Sequence, residues 1–181
     1  WNYIPLRNKV FIMATNLHFI KEASGSGVTT LAVTDCFSDA YDVYFLTVAT
    51  ADFASNAYVW TRFIDSSGSL INQTEYDYAT SDMYANASFS ELRGTGQSSI
   101  PNLALSQSGT ADFGGITMYI YNPYDSSSYT FVTAQSSTFS SYGRGSKLIG
   151  VHKSAEQLSG IELNRSAADA FDMEIKVYGV K

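Results

Sequence analysis

Apolar and polar residues alternate with a period of two along much of this chain, most clearly near the C-terminus. Every second residue of 171–177 is apolar, and an Asp, a Glu and a Lys occupy the positions between. Successive side chains of a strand point to opposite faces, so this pattern predicts a strand with one buried and one solvated face. A helix of the same sequence would place those charges within its own apolar stripe.

Similar runs recur along the chain, separated by Gly, Pro, Asn, Asp and Ser. They predict strands at 17–21, 28–33, 41–50, 57–64, 116–121, 129–135, 148–152, 158–163 and 171–177. Counted with weaker segments, this makes about ten short strands, at the spacing typical of sandwiches and barrels. Only the short stretches 88–93 and 167–171 favour a helix.

Many short strands without crossover helices predict an all-β fold of two packed antiparallel sheets, a β-sandwich. A jelly roll is the expected form of it. We expect residues 16–181 to form this one domain and residues 1–15 to be an N-terminal extension or arm. The polar, Tyr-containing stretch 76–96 is expected to be a long surface loop.

The charge balance excludes several classes of partner. The chain has 181 residues, a net charge of −6 and only 15% charged residues. A nucleic-acid-binding protein needs a cationic surface that displaces counterions from phosphates, and none is visible. No apolar run approaches the roughly 20 residues of a membrane-spanning helix. We therefore expect neither nucleic-acid binding nor membrane insertion.

No arrangement of residues predicts a cofactor, a metal ion or a catalytic site. His18 and His152 each lie in a strand pattern, without a second His or Cys at metal-ligand spacing, and are expected to be partly exposed. Cys36 is the sole cysteine, so it forms no intrachain disulfide and is expected to be a buried apolar thiol beside Phe37. Asp65 belongs to a predicted tight turn rather than to a calcium loop.

Two groups of loop residues remain as candidates. The acids Glu75, Asp77 and Asp82 lie among tyrosines and suggest a glycosidase as a further hypothesis, because that chemistry needs only two nearby carboxylates. Tyrosines among Ser, Gly and Asn are typical of binding loops. They are also compatible with filling the sandwich ends or subunit contacts. The candidate contact or glycan-binding tyrosines are Tyr76, Tyr78, Tyr84, Tyr124 and Tyr142.

The order of short motifs resembles one group of proteins. The motifs are YDVY at 41–44, TRFIDSSG at 61–68, MYIYNP at 118–123, IEL at 161–163 and EIKVYGV at 174–180, which contains a Tyr-Gly pair. In this order they resemble small β-sandwich structural proteins and modules on the virions of tailed bacteriophages, particularly marine cyanophages. The resemblance covers residues 16–181.

The resemblance implies a non-enzymatic virion protein, exposed on the particle as a capsid-decoration, head-fibre or tail-fibre module. It implies contacts with other copies of the chain, as a homotrimer or another symmetric oligomer, and with another virion protein of capsid or tail. It carries no catalytic residues with it. The alternative is a receptor-binding module of a tail fibre that recognises a host surface glycan.

Overall fold

The computed structural model describes residues 16–53, 55, 57–86, 89–106, 113–166 and 169–181. Residues 1–15, predicted to be an extension or arm, lie outside the described residues. Within the described ranges the chain is all-β, with twelve strands in two antiparallel sheets and no helix. The predicted antiparallel β-sandwich is therefore confirmed. None of the described segments is a helix long and apolar enough to cross a membrane.

The strands are numbered in chain order. They are β1 Leu17–Val28, β2 Thr30–Val33, β3 Val43–Phe53, β4 Ala57–Asp65, β5 Tyr76–Tyr84, β6 Ser90–Gln97, β7 Ile100–Ser106, β8 Phe113–Tyr121, β9 Thr130–Ser140, β10 Tyr142–His152, β11 Leu158–Arg165 and β12 Phe171–Val180.

The strand order is that of a jelly roll with additions. The smaller sheet has the order β2-β11-β4-β7, and the larger has the order β1-β12-β3-β8-β9-β10-β5-β6. In the larger sheet, the pairs β3-β8 and β5-β6 correspond to the four strands that complete a jelly roll. The hairpin β9–β10 is inserted between them, and β12 and β1 extend the larger sheet beyond β3.

The core lies between the two sheets and follows from the alternation in the sequence. Phe171, Met173, Ile175 and Val177 of β12 are all buried, as their spacing predicts. They pack in one cluster with residues of the smaller sheet such as Phe63 of β4. Inward-facing side chains of both sheets thus fill one continuous apolar layer.

The predicted surface loop at 76–96 is wrong, because most of this stretch forms β5 and β6. These strands pair in antiparallel register, with Ala79 opposite Arg93 and Ser81 opposite Glu91. The helix-favouring stretch 88–93 belongs largely to β6, which is an edge strand. An edge strand with one solvated face needs few apolar residues, so its sequence lacks a strand signal. The other helix-favouring stretch includes residues 167 and 168, outside the described residues, and Phe171 begins β12.

The polar segment 23–27, which separates the predicted strands 17–21 and 28–33, is part of β1 instead. Ala23, Ser24 and Gly25 pair with Ile175, Glu174 and Met173 of β12. Only at Gly27, whose φ is +65°, does the backbone need the left-handed conformation that favours glycine. Pairing with β12, one face of which is anchored in the core, therefore outweighs the weak local strand preference of this segment.

The turn at Asp65 has the predicted chemistry. The Asp65 carboxylate accepts hydrogen bonds from the Ser67 amide at 2.8 Å and from the Ser69 amide at 2.9 Å. The Ser67 hydroxyl donates to the same oxygen at 2.6 Å. Hydrogen bonds from Ser67 and Ser69 lower the pKa of this exposed carboxyl group. The carboxylate is thus occupied in closing the turn between β4 and the following segment.

Candidate functional site

The outward face of the larger sheet carries a row of side chains, one from each of its eight strands. Cross-strand pairing places them side by side, from β1 at one edge to β6 at the other. The row consists of Phe19, Tyr178, Phe45, Tyr119, Thr133, Ile149, Ala79 and Arg93. Six of the eight are aromatic or aliphatic, and the one charge lies at the β6 edge.

A second apolar row lies beside the first on the same face. It consists of Leu17, Val180, Val43, Tyr121, Phe131 and Val151, and ends at Asp77 of β5. We call the two rows together, without the terminal Arg93 and Asp77, the apolar band. It crosses the sheet perpendicular to the strands and contains no ionisable group except its tyrosines.

The apolar band is both exposed and ordered by ring contacts. The side chains of Ile149 and Phe131 are 62% and 46% exposed. The ring centroids of Phe45 and Tyr119 are 4.9 Å apart, and those of Phe19 and Tyr178 are 5.7 Å apart. Contiguous exposed apolar patches are uncommon on monomeric globular proteins and are often found at contact surfaces or ligand grooves.

The next row along the strands is polar instead. It consists of Glu22, Lys176, Thr47, Thr117, Gln135, Lys147, Ser81 and Glu91. The outward face is therefore divided into an apolar half and a polar half.

Two open grooves of about 580 and 760 Å³ lie on the part of this face formed by β8, β9, β10, β5 and β6. The first is lined by Tyr119, Ile149 and Lys147, and therefore spans the boundary between the apolar band and the polar row. The second is lined by Phe131 of β9, by residues 149–151 of β10, and by residues 77–79 of β5 and 93–95 of β6. Concave surfaces that combine aromatic rings and a few polar groups are suited to ligands.

Tyr76, one of the five candidate tyrosines, lies in β5 and is fully buried. Its hydroxyl donates to the Ile71 carbonyl oxygen at 3.2 Å and accepts a hydrogen bond from the Phe63 amide at 3.0 Å. Burial raises the pKa of this hydroxyl. Tyr76 is therefore a core residue that holds two chain segments together, and it is not accessible to a ligand.

The other candidate tyrosines do not form one surface. Tyr78 is partly buried and packs against the core from the inner side of the sheet. The rings of Tyr84 and Tyr142 are 6.1 Å apart, at the end of the sheet where β10 begins. Tyr124 packs against the core after β8, at the opposite end. The structure thus brings Tyr84 and Tyr142 together and separates the rest.

The three candidate acids also lie apart, in different environments. Asp82 faces the interior, where it pairs with Arg144. Asp77 lies on the outward face and accepts a hydrogen bond from the Lys153 ammonium at 2.8 Å. The two carboxylates are on opposite faces of β5, so they do not form the facing pair that glycoside hydrolysis requires. Glu75 contacts His152 instead.

His152 is fully buried, so its expected partial exposure is wrong. The side chain closes the inner face of β10, where Tyr76 and Phe63 surround it at ring-centroid distances of 5.0 and 6.1 Å. Cys36 is buried, as predicted. Burial raises the pKa of its thiol to about 12, which makes it unreactive as a nucleophile.

The apolar band was not predicted from the sequence, although the sequence contains a signal for it. In strands β3 and β8 the positions between buried residues are also aromatic, namely Phe45, Tyr119 and Tyr121. A strand that is apolar on both faces is expected to be covered on both faces. Which of these residues lie side by side depends on the register between distant strands, which one sequence does not contain.

Comparisons with known proteins identify no relative by sequence. No protein-family model matches the chain, and no curated protein matches it. Among solved structures, the fructofuranosidase from Schwanniomyces occidentalis complexed with fructose is similar over 93% of this chain and 35% of that chain, at 8% identity and a TM-score of 0.37. A variant of that enzyme complexed with fructosylnystose is similar over 94% of this chain and 35% of that chain, at 10% identity and a TM-score of 0.29. The chain thus spans about a third of that protein, and likeness at this level carries no inference about function.

Proposed function

We propose that this chain is a non-enzymatic structural module of a tailed-bacteriophage virion that assembles with other copies of itself through the apolar band. The virion context rests on the resemblance of the motifs at 41–44, 61–68, 118–123, 161–163 and 174–180. The assembly rests on the band itself, which is the observation that carries the proposal. On the particle, the module is exposed as a capsid decoration or as part of a fibre.

The composition of the band favours a protein partner. Interface cores are enriched in Tyr, Phe and other apolar residues and depleted in charge, with a polar rim around them. The band has this composition, and the row that contains Lys147 and Lys176 forms a rim beside it. A symmetric oligomer, such as a trimer, buries the same patch of every copy at once.

The oligomeric state of the purified chain tests the assembly. We expect the wild type to sediment as a trimer or another closed oligomer in analytical ultracentrifugation. Phe131→Asp and Ile149→Asp are expected to shift it to monomer. Phe139→Asp is the matched control, because Phe139 is 52% exposed on the same strand as Phe131 but outside the band. A wild type that is monomeric at all concentrations would overturn the proposal.

The virion location needs a separate measurement. We expect mass spectrometry of purified phage particles to detect this chain at a fixed copy number per particle. Immunogold labelling would then distinguish capsid from tail. Absence of the chain from intact particles would contradict the virion role and leave self-assembly through the band to be judged by ultracentrifugation.

Host-glycan binding is the second candidate, and the groove beside Tyr119 is the observation that favours it. Besides the Tyr119 ring, this groove is lined by Lys147 and by the polar residues Gln135 and Thr117. Aromatic rings provide flat apolar platforms for sugar rings, and neighbouring polar groups supply hydrogen bonds. On a glycan array, we expect the Tyr119→Ala variant to lose the binding that the wild type shows, and the Phe139→Ala variant to retain it. A wild type that binds no glycan would rule this candidate out.

A further inference from the structure

Two carboxylates and one imidazole converge at the end of the sandwich where β10 ends and β5 begins. Glu75 immediately precedes β5, His152 is the last residue of β10, and Glu156 lies in the connection to β11. The His152 Nε2 atom is 3.2 Å from Glu75 Oε2 and 3.6 Å from Glu156 Oε1. One donor atom from each residue lies within 4.8 Å of the other two.

The imidazole is held rigidly, whereas the carboxylates can adjust. His152 is fully buried against the Tyr76 ring, so its Nε2 atom has a fixed direction towards the two acids. The side chains of Glu75 and Glu156 are 37% and 34% exposed. An ion can therefore reach the cluster from solvent, and water can complete its coordination.

Neither carboxylate forms an ion pair with a lysine or an arginine of the described residues. Among the described residues, no Lys or Arg nitrogen lies within 4.0 Å of either carboxylate. The neighbouring Lys153 ammonium is directed to Asp77 instead. Two carboxylate groups and one imidazole nitrogen that converge in this way form a set of donor atoms that suits a metal cation.

The distances fit a small divalent ion. Zinc–nitrogen and zinc–oxygen bonds of about 2.0–2.1 Å place the donor atoms of a tetrahedral site roughly 3.4 Å apart. The two distances from His152 Nε2 lie on either side of this value. Calcium needs six or more oxygen ligands, which three side chains with one imidazole do not supply.

We propose that Glu75, His152 and Glu156 bind a divalent transition-metal ion, for which Zn²⁺ is the best-suited abundant candidate. Zinc accepts both imidazole and carboxylate ligands, and water completes a site with three protein ligands. The ion joins the start of β5, the end of β10 and the β10–β11 connection. Because it binds the folded chain, it stabilises that end of the sandwich.

The surroundings of His152 limit the affinity of this site for the metal ion. Coordination through Nε2 leaves the proton on Nδ1, and Nδ1 is buried without a hydrogen-bond partner. In most metal sites this second nitrogen donates to a carboxylate or a carbonyl group, which strengthens the ligand. We therefore expect micromolar rather than nanomolar binding.

Isothermal titration calorimetry with Zn²⁺ at neutral pH tests the proposal, with thermal unfolding as a second readout. We expect one ion per chain and a melting temperature that rises with Zn²⁺ concentration. Glu75→Gln and Glu156→Gln are each expected to weaken binding about tenfold or more, in line with the loss of one of three ligands. Both residues are part-exposed, so these variants should fold.

Two control variants separate this site from adventitious binding. Glu91→Gln removes the same charge from an exposed position on β6, and His18→Gln removes the only other histidine. Both should bind Zn²⁺ as the wild type does. Absence of stoichiometric binding by the wild type would overturn the proposal. So would unchanged affinity in the Glu75→Gln, Glu156→Gln double variant, or binding abolished by His18→Gln alone.

Discussion

Asp82 and Arg144 form an ion pair inside the sandwich, with side chains that are 2% and 5% exposed. The second carboxylate oxygen of Asp82 accepts a hydrogen bond from the Ser146 hydroxyl at 2.5 Å. The Arg144 guanidinium lies 5.0 Å from the Tyr84 ring centroid and 5.5 Å from that of Tyr58, which belongs to the smaller sheet. The pair thus connects the two sheets where β5 ends and β10 begins.

Loss of one partner of this pair is expected to be strongly destabilising. Asp82→Asn leaves the Arg144 charge buried without a counter-ion, which costs roughly 3–5 kcal/mol in comparable cases. Arg144→Met leaves the Asp82 carboxylate in the same position. The free energy of unfolding, measured by urea denaturation, should fall by about that amount in each variant.

The double variant Asp82→Asn, Arg144→Met provides the sharper measurement. With no unpaired charge left, it should be more stable than the sum of the single effects predicts. The exposed pair Glu174–Lys176, 2.7 Å apart, is the matched control, and Glu174→Gln should cost less than about 1 kcal/mol. A cost as small as this for Asp82→Asn would show that the inner pair is solvated.

Stability is expected to decrease at alkaline pH because of Cys36. Burial raises the pKa of this thiol from 9.0 to about 12, so between these values the unfolded chain loses a proton that the folded chain retains. The contribution is fully present below pH 9 and is lost as the pH rises towards 12. At pH 10 the loss should amount to about 1 kcal/mol.

Urea denaturation at several pH values, carried out in parallel on Cys36→Ala, checks this expectation. The free energy of unfolding of the wild type, relative to that of the variant, should fall from pH 8 to pH 10. The Cys36 thiol is the only titratable group that the wild type has and the variant lacks. Iodoacetamide should modify the native wild type far more slowly than the urea-unfolded chain. Rapid alkylation of the native protein would contradict the buried position of the thiol.

The sequence predicts those strands whose burial alternates with a period of two. Strands β4 and β12 were predicted nearly to their ends because one face of each lies in the core. Strand β6 was missed, since an edge strand with the sequence SELRGTGQ has little apolar surface to bury. The extent of β1 was missed for a related reason: its polar half becomes a strand only by pairing with β12.

Functional residues were harder to predict than strands, because they depend on contacts between distant segments. Glu75 and His152 are far apart in the sequence. The only part of the cluster that is visible locally is the four-residue spacing between His152 and Glu156. Tyr76 illustrates the opposite error, because local composition suggested a binding loop and the residue lies in the core. Exposure, unlike strand periodicity, is decided by the packing of the two sheets.

The Tyr-Gly pair near the C-terminus has a structural reason that yields a further prediction. A Cβ atom at Gly179 would lie 2.6 Å from three atoms at the base and sides of the Tyr41 ring. Gly179→Ala is therefore expected to displace the ring and to destabilise the fold by about 1–3 kcal/mol. Thermal and urea denaturation measure the change.

Gly143→Ala is the control for this substitution. A Cβ atom at Gly143 has no neighbour closer than 3.9 Å, so this variant should lie within about 0.5 kcal/mol of the wild type. Replacing Tyr41 by Leu together with Gly179→Ala should recover part of the lost stability. Equal effects of the two glycine substitutions would show that ring packing over Gly179 is not what restricts this position.

Self-assembly through the apolar band is expected to be nearly independent of salt. The band is uncharged, and only Arg93 and Asp77 lie at its end. Apolar burial is not screened by ions. Ion pairs between copies, formed by Lys147 or Lys176 with Glu22 or Glu91 of the neighbouring polar row, would be screened. Sedimentation equilibrium between about 0.05 and 0.5 M NaCl should give dissociation constants within about threefold of each other. A tenfold or larger weakening by salt would place the interface on the polar row rather than on the band.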